Sequence, residues 1–148
     1  VKEFMQAREC VKKGYRHRLK VVGSRGFKEK VRKIQSLLRI TGYYDFLRTY
    51  IRRLQEINGV GQLREAEATI WLTSYLVENQ VEGARFIVQK TQQMKDYLEG
   101  RQYYERGELE AVEKSIEFLK ALLNRRICDD LKLKCREALK QWTEEKVL

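Results

Sequence analysis

The chain predicts an α+β domain, mostly helical, with a small antiparallel sheet of two or three strands; an all-α bundle is the alternative. Three observations lead there. Apolar residues recur at helical spacing over most of the length. Two short runs instead alternate, or concentrate β-branched and aromatic residues, as strands do. Proline is absent from all 148 residues, which long helices tolerate and loop-rich chains seldom show. A chain of 148 residues supports one domain, residues 1–148, with a core of its own.

Val1 to Lys13 predicts a short helix with Phe4, Met5 and Val11 as apolar positions and Gly14 as its stop. From Tyr15 to Val22 the pattern alternates, with Tyr15, His17, Leu19 and Val21 on one side and Arg16, Arg18 and Lys20 on the other. A period of two predicts a strand with one basic, solvent-facing side. Gly23, Ser24 and Gly26 end it, and the Ser24 hydroxyl is placed to cap the next helix. That helix carries Phe27, Val31, Ile34, Leu38 and Thr41 inward and Lys28, Arg32 and Arg39 outward, and Gly42 closes it. Tyr43 to Ile57 predicts a second helix, with Phe46, Leu47, Tyr50, Ile51, Leu54 and Ile57 inward and Asn58-Gly59 as terminator.

Residues 60–77 fit two patterns. The β-branched and aromatic run predicts a strand over Ala68 to Thr73, paired with residues near Val60 to Leu63, and a helix is the alternative. Asn79 with Glu82 three residues later has the spacing of a capping box, followed by a stripe of Ala84, Ile87, Val88, Thr91, Met94 and Leu98. After a turn between Gly100 and Gly107, Leu109, Val112, Ile116, Leu119 and Leu123 form the answering stripe. A last helix from about Asp129 to Lys146 carries Leu131, Cys135, Ala138 and Trp142.

Charge divides the chain. Residues 1–57 hold 16 Lys or Arg against 5 Asp or Glu, a net of +11, and residues 58–148 hold 15 against 16, a net of −1, which together make the +10 of the whole. A basic part of that density attracts anions at long range, nucleic acid or an acidic protein among them; a surface that only keeps a protein soluble has the same composition. The candidate anion-binding residues are Arg16, Arg18, Lys20, Lys28, Arg32, Arg48 and Arg52, with Arg53 beside them and Tyr15, Tyr43 and Tyr44 as stacking surfaces for single strands. Cys10, Cys128 and Cys135 are odd in number and form no CxxC pair, which predicts free thiols and a cytoplasmic location. No run of about 18 apolar residues predicts a membrane span.

Phe86, Gln89, Gln93 and Tyr97 form a second stripe on the helix after Asn79, part aromatic and part amide, able to line a pocket. The five residues Gln89-Lys90-Thr91-Gln92-Gln93, with Met94 to Gly100 after them and Glu108, Glu110 and Glu113 beyond, occupy the place of an HExxH helix and the following carboxylate helix. With Leu19 to Val22, Gly23-Ser24, the helices from Phe27 and Tyr43, and Thr69 to Thr73 upstream, the segment resembles zincin-like metallopeptidases in order of elements. The resemblance implies a pocket formed by Phe86, Gln89, Gln93, Tyr97, Glu110 and Glu113. Two histidines at those spacings would bind Zn²⁺, and a glutamate between them would act as base on its water. Amides at Gln89 and Gln93 are poor zinc ligands, and Lys90 in the place of the glutamate takes no proton at neutral pH. The resemblance therefore implies a non-catalytic descendant with no metal and no cofactor, acting as a binding or scaffolding module. Glu105 with Glu108, and Glu110 with Glu113, also have the ExxE spacing of Mg²⁺-dependent all-α nucleotide pyrophosphohydrolases, a pattern that any glutamate-rich chain produces by chance. Partner identity and oligomeric state are not legible in the residues.

Overall fold

The computed structural model describes residues 16–101 and 106–147, with Glu9 and residues 12–14 before them. The helix predicted over Val1 to Lys13 therefore lies largely outside the described residues, as do Tyr15, Cys10 and Glu105. The alternation predicted over Tyr15 to Val22 survives in exposure, Arg16, Arg18 and Lys20 being open and His17, Leu19 and Val21 partly covered. Only Lys20–Val22 (β1) pairs in a sheet, so the strand is shorter than its pattern.

Ser24 then starts the helix Arg25–Ile40 (α1), its hydroxyl accepting from the Phe27 amide at 3.2 Å. Such a cap contributes about 1 kcal/mol by satisfying an amide that the helix cannot. After Gly42, which takes the left-handed φ of 81° that the turn requires, comes the short helix Tyr44–Tyr50 (α2). Here the structure corrects the sequence. The chain leaves the helix at Ile51, extended at φ −115° and ψ 131°, and Arg53–Glu56 forms a strand (β2) rather than the end of a long helix. Ile51 and Leu54 are both fully buried, and a spacing of three suits a helix stripe as well as this strand entry. Backbone pairing on both sides of β2 decided the outcome.

The ambiguous segment resolves as strands. Gln62–Arg64 (β3) and Thr69–Leu72 (β4) pair antiparallel with Leu63 opposite Ile70, joined by a single 3₁₀ turn over Glu65–Glu67. β2 lies between β1 and β4, parallel to both, with Lys20 opposite Arg53 and Leu54 opposite Ile70. The sheet is thus four-stranded and mixed, in the order β1-β2-β4-β3. The expectation of two or three antiparallel strands fell short because the strand assigned to a helix is the one that makes both parallel ladders.

Thr73 caps the short helix Ser74–Glu78 (α3), and the Asn79 side chain accepts from the amides of Val81 and Glu82, each at 3.1 Å, to open Gln80–Leu98 (α4). Arg106–Leu123 (α5) and Asp129–Val147 (α6) complete the helical side. One core joins these layers: Phe27, Val31, Ile34 and Leu38 of α1, Leu54 of β2, Ile70 and Leu72 of β4, Ile87 and Val88 of α4, Phe118 and Leu119 of α5, and Cys135 of α6. α1 and α4 touch closely at Gly83, where an added Cβ would lie 2.6 Å from Ile34 Cδ1. Cys135 is buried with its thiol donating to the Leu119 carbonyl at 3.0 Å, and burial pushes that thiol up to about 11; Cys128 is exposed and also free. Among the described residues no helix is long and apolar enough to cross a membrane.

Candidate anion-binding site and the two glutamines

The approaches to β1 and β2 run side by side because their backbones are tied. The His17 amide donates to the Arg48 carbonyl at 2.8 Å, Arg48 Nε donates back to the His17 carbonyl at 3.0 Å, and the Lys20 amide donates to the Arg52 carbonyl at 3.0 Å. The Arg52 amide in turn donates to the Ala68 carbonyl at 2.8 Å, anchoring the corner to the entry of β4. Between the two approaches lies a cavity of about 290 Å³ lined by His17, Arg18, Lys20, Arg52 and Arg53. Every described lining residue is basic, so their charges sum to a positive potential, and a concave wall focuses such a field.

Charge just outside the cavity is arranged differently. Asp45 lies 3.7 Å from Arg16 and 3.6 Å from Arg48, so these two are held by a carboxylate at the rim. The guanidiniums of Arg39 and Arg48 lie 4.3 Å and 5.6 Å from the centre of the Tyr44 ring. Lys28 and Arg32 are exposed on α1, but α1 begins beside the far end of β1, which puts Lys28, in its first turn, away from the cavity. The structure therefore gathers Arg18, Lys20 and Arg52 of the predicted anion-binding set, sets Arg16 and Arg48 at the rim, and leaves Lys28 and Arg32 apart.

His17 is the lining residue that the sequence did not single out for binding. Its alternation with Arg16 and Arg18 placed it on the covered side, and it is partly covered while they are open. It nevertheless lines the cavity, because the strand begins only at Lys20 and residues 16–19 precede the sheet. Its Nε2 is withdrawn from solvent with no hydrogen-bond partner among the described residues. Burial, and then the positive charge of Arg52, hold its pKa below the usual histidine value, so it is neutral at neutral pH.

The glutamines sit elsewhere, on α4. Gln89 accepts from Arg85 Nη1 at 2.5 Å, and Arg85, only 3 % exposed, also bonds the Glu82 carboxylate through Nε and Ser115 Oγ of α5 at 3.4 Å. The guanidinium lies 3.6 Å from the centre of the Trp142 ring, and Trp142 Nε1 donates to Glu82 Oε1 at 3.0 Å. Gln89 thus belongs to a polar staple that ties α4 to α5 and α6. Gln93 is 5 % exposed, Phe86 and Tyr97 are half-buried, and the Lys90 ammonium lies 5.2 Å from the centre of the Phe86 ring. Burial, then the neighbouring Arg85, lower the Lys90 pKa. Glu110 and Glu113 are exposed on α5. Among the described residues no group of three or more His, Cys, Asp or Glu side chains gathers as metal ligands would.

One turn beyond Gln92, Asp96 is fully buried, its Oδ1 accepting from Gln92 Nε2 at 3.1 Å and its Oδ2 without a partner among the described residues. Burial raises its pKa, and Glu110 adds to the rise. Arg85, Trp142 and Asp96 were not singled out from the sequence as polar residues of the interior. The signal available for Arg85 was its place between Ala84 and Phe86, inside an otherwise apolar stretch. No protein-family model matches the chain, and no curated protein or solved structure is recognisably similar to it.

Proposed function

We propose that the chain binds nucleic acid, holding backbone phosphate at the corner where β1 and β2 begin. The observation that carries this is the cavity of about 290 Å³ whose described lining residues, His17, Arg18, Lys20, Arg52 and Arg53, are all basic. A phosphate entering there meets several donors at once, and the guanidiniums are shaped for its oxygens. Arg39, Tyr44 and Arg48 extend a basic and aromatic surface from the rim, the combination that suits a single strand. The test is fluorescence anisotropy of a labelled 12-nucleotide single strand titrated with the full chain across salt concentrations. Affinity should fall with a logarithmic slope of about −0.7 per phosphate engaged. Absent binding, or binding indifferent to salt, overturns the proposal.

A second function has its own support. A non-catalytic relative of the zincin-like scaffold, serving as a binding or scaffolding module, would use the α4 face of Phe86, Gln89, Gln93 and Tyr97. The observation in its favour is that Gln93, a polar side chain on the predicted stripe, is 5 % exposed rather than in open solvent. Metal analysis of the purified chain tests it: stoichiometric zinc, or peptide cleavage, overturns a non-catalytic role.

A further inference from the structure

We propose that His17 takes up a proton when a nucleic-acid phosphate enters the basic cavity, so that binding tightens as the medium acidifies. The inference rests on the nucleic-acid function proposed above and adds a regulation of the same site. Its geometric basis is a histidine among the lining residues whose Nε2 is out of solvent and unpartnered among the described residues, with the other described lining residues all cationic. The groups that face it can be named from each element. Arg18 and Lys20 come from its own segment and Arg52 and Arg53 from the entry to β2. Arg48, at the end of α2, is bonded to its backbone, and Asp45 lies beyond, paired with Arg16 and Arg48.

Without an anion nearby, the loss of water and then the charge of Arg52 oppose a second hydrogen on the ring, and the pKa lies below 6.5. A bound phosphate acts against the second of these, because an anion close by favours the charged imidazolium. The sign follows from linkage: a group whose pKa is higher in the bound state makes binding stronger as pH falls through the bound value, and the gain is complete below the free value. Each unit by which phosphate raises the pKa strengthens binding about tenfold.

The chain has one histidine, so its imidazole proton signals can be followed by NMR in the unmodified full chain. The pH titration is run free, with an unphosphorylated 12-nucleotide oligothymidylate, and with inorganic sulfate at matched ionic strength. The expected result is a midpoint below the ordinary histidine value in the free chain and a higher one with the oligonucleotide. An oligonucleotide that binds without moving the midpoint overturns the proton linkage and leaves the function standing. An oligonucleotide that does not bind overturns the function itself. Movement with sulfate equal to that with the oligonucleotide overturns nucleic acid as the occupant, and movement with the oligonucleotide alone supports it. As a second measurement, the affinity of His17→Gln should no longer rise from pH 7.5 to pH 5.5 as that of the unmodified chain does, and a variant that keeps the rise overturns the proton linkage.

Discussion

Arginine is used in opposite ways at two places in this molecule. Arg85 is enclosed by Glu82, Gln89, Ser115 and the Trp142 ring, so its charge and donors are answered within the fold. At the entry to β1 and β2, Arg18, Lys20, Arg52 and Arg53 line an opening that has no carboxylate among its described lining residues. The lesson is that a cation closed in by partners on three helices holds those helices together, whereas cations gathered along one concave wall add their fields toward whatever enters it.

The largest effect that sharpens this contrast is expected on the enclosed side. Arg85→Leu should lower stability by about 2–4 kcal/mol, because Glu82, Gln89 and Ser115 lose their common donor in a buried setting. Urea denaturation reads the loss, and oligonucleotide affinity should stay unchanged in the folded fraction. On the open side the reverse holds. Lys20→Gln with Arg53→Gln should weaken oligonucleotide binding about 10- to 100-fold and flatten the salt slope by about 1 to 2, while stability moves by no more than about 0.5 kcal/mol. If that double variant instead unfolds the chain, the two regions do not differ as described.

Smaller effects come from the buried acid and from the lone histidine. Asp96→Asn keeps the shape and removes the charge from an oxygen without a partner among the described residues. It should raise stability at pH 7 by about 1 kcal/mol. Because burial raises the Asp96 pKa in the native state, its charged form is the costly one, and the advantage of the variant should shrink as pH falls and Asp96 itself becomes neutral. For His17 the native pKa is lowered, so its contribution is complete above 6.5 and is lost as pH falls through the native value. The loss is read as a fall in the stability of wild type relative to His17→Gln from pH 7 to pH 5.

The helices on the closed side were legible because each carries its own signal. Asn79 and Ser24 mark starts, and the stripes from Ala84 to Leu98 and from Val112 to Leu123 repeat at a period that only a helix covers, Leu109 at the head of the second being left 43 % exposed. β2 was not legible, since Arg53–Glu56 is four residues long and Ile51 and Leu54 also suit a helix. That one misassignment carried over to the site. With Arg52 and Arg53 on a helix they would have shared a face with Arg48, and nothing in the residues brings His17 to meet them. Arg18, Lys20 and Arg52 were recognised as bases, but the concavity between them is a property of strand register, which local spacing does not record.

Register also gives the site a mode of self-report. His17 to Lys20 and Arg52 to Arg53 are more than thirty positions apart along the chain and become neighbours only when β1 docks on β2. Denatured molecules therefore have no counterpart of the opening, and whatever occupies it clamps an outer strand that otherwise has one sheet neighbour. An occupant at one hundred times its dissociation constant adds about 2.7 kcal/mol to the native state. The melting curve is then itself a gauge of occupancy, rising with each anion that fits.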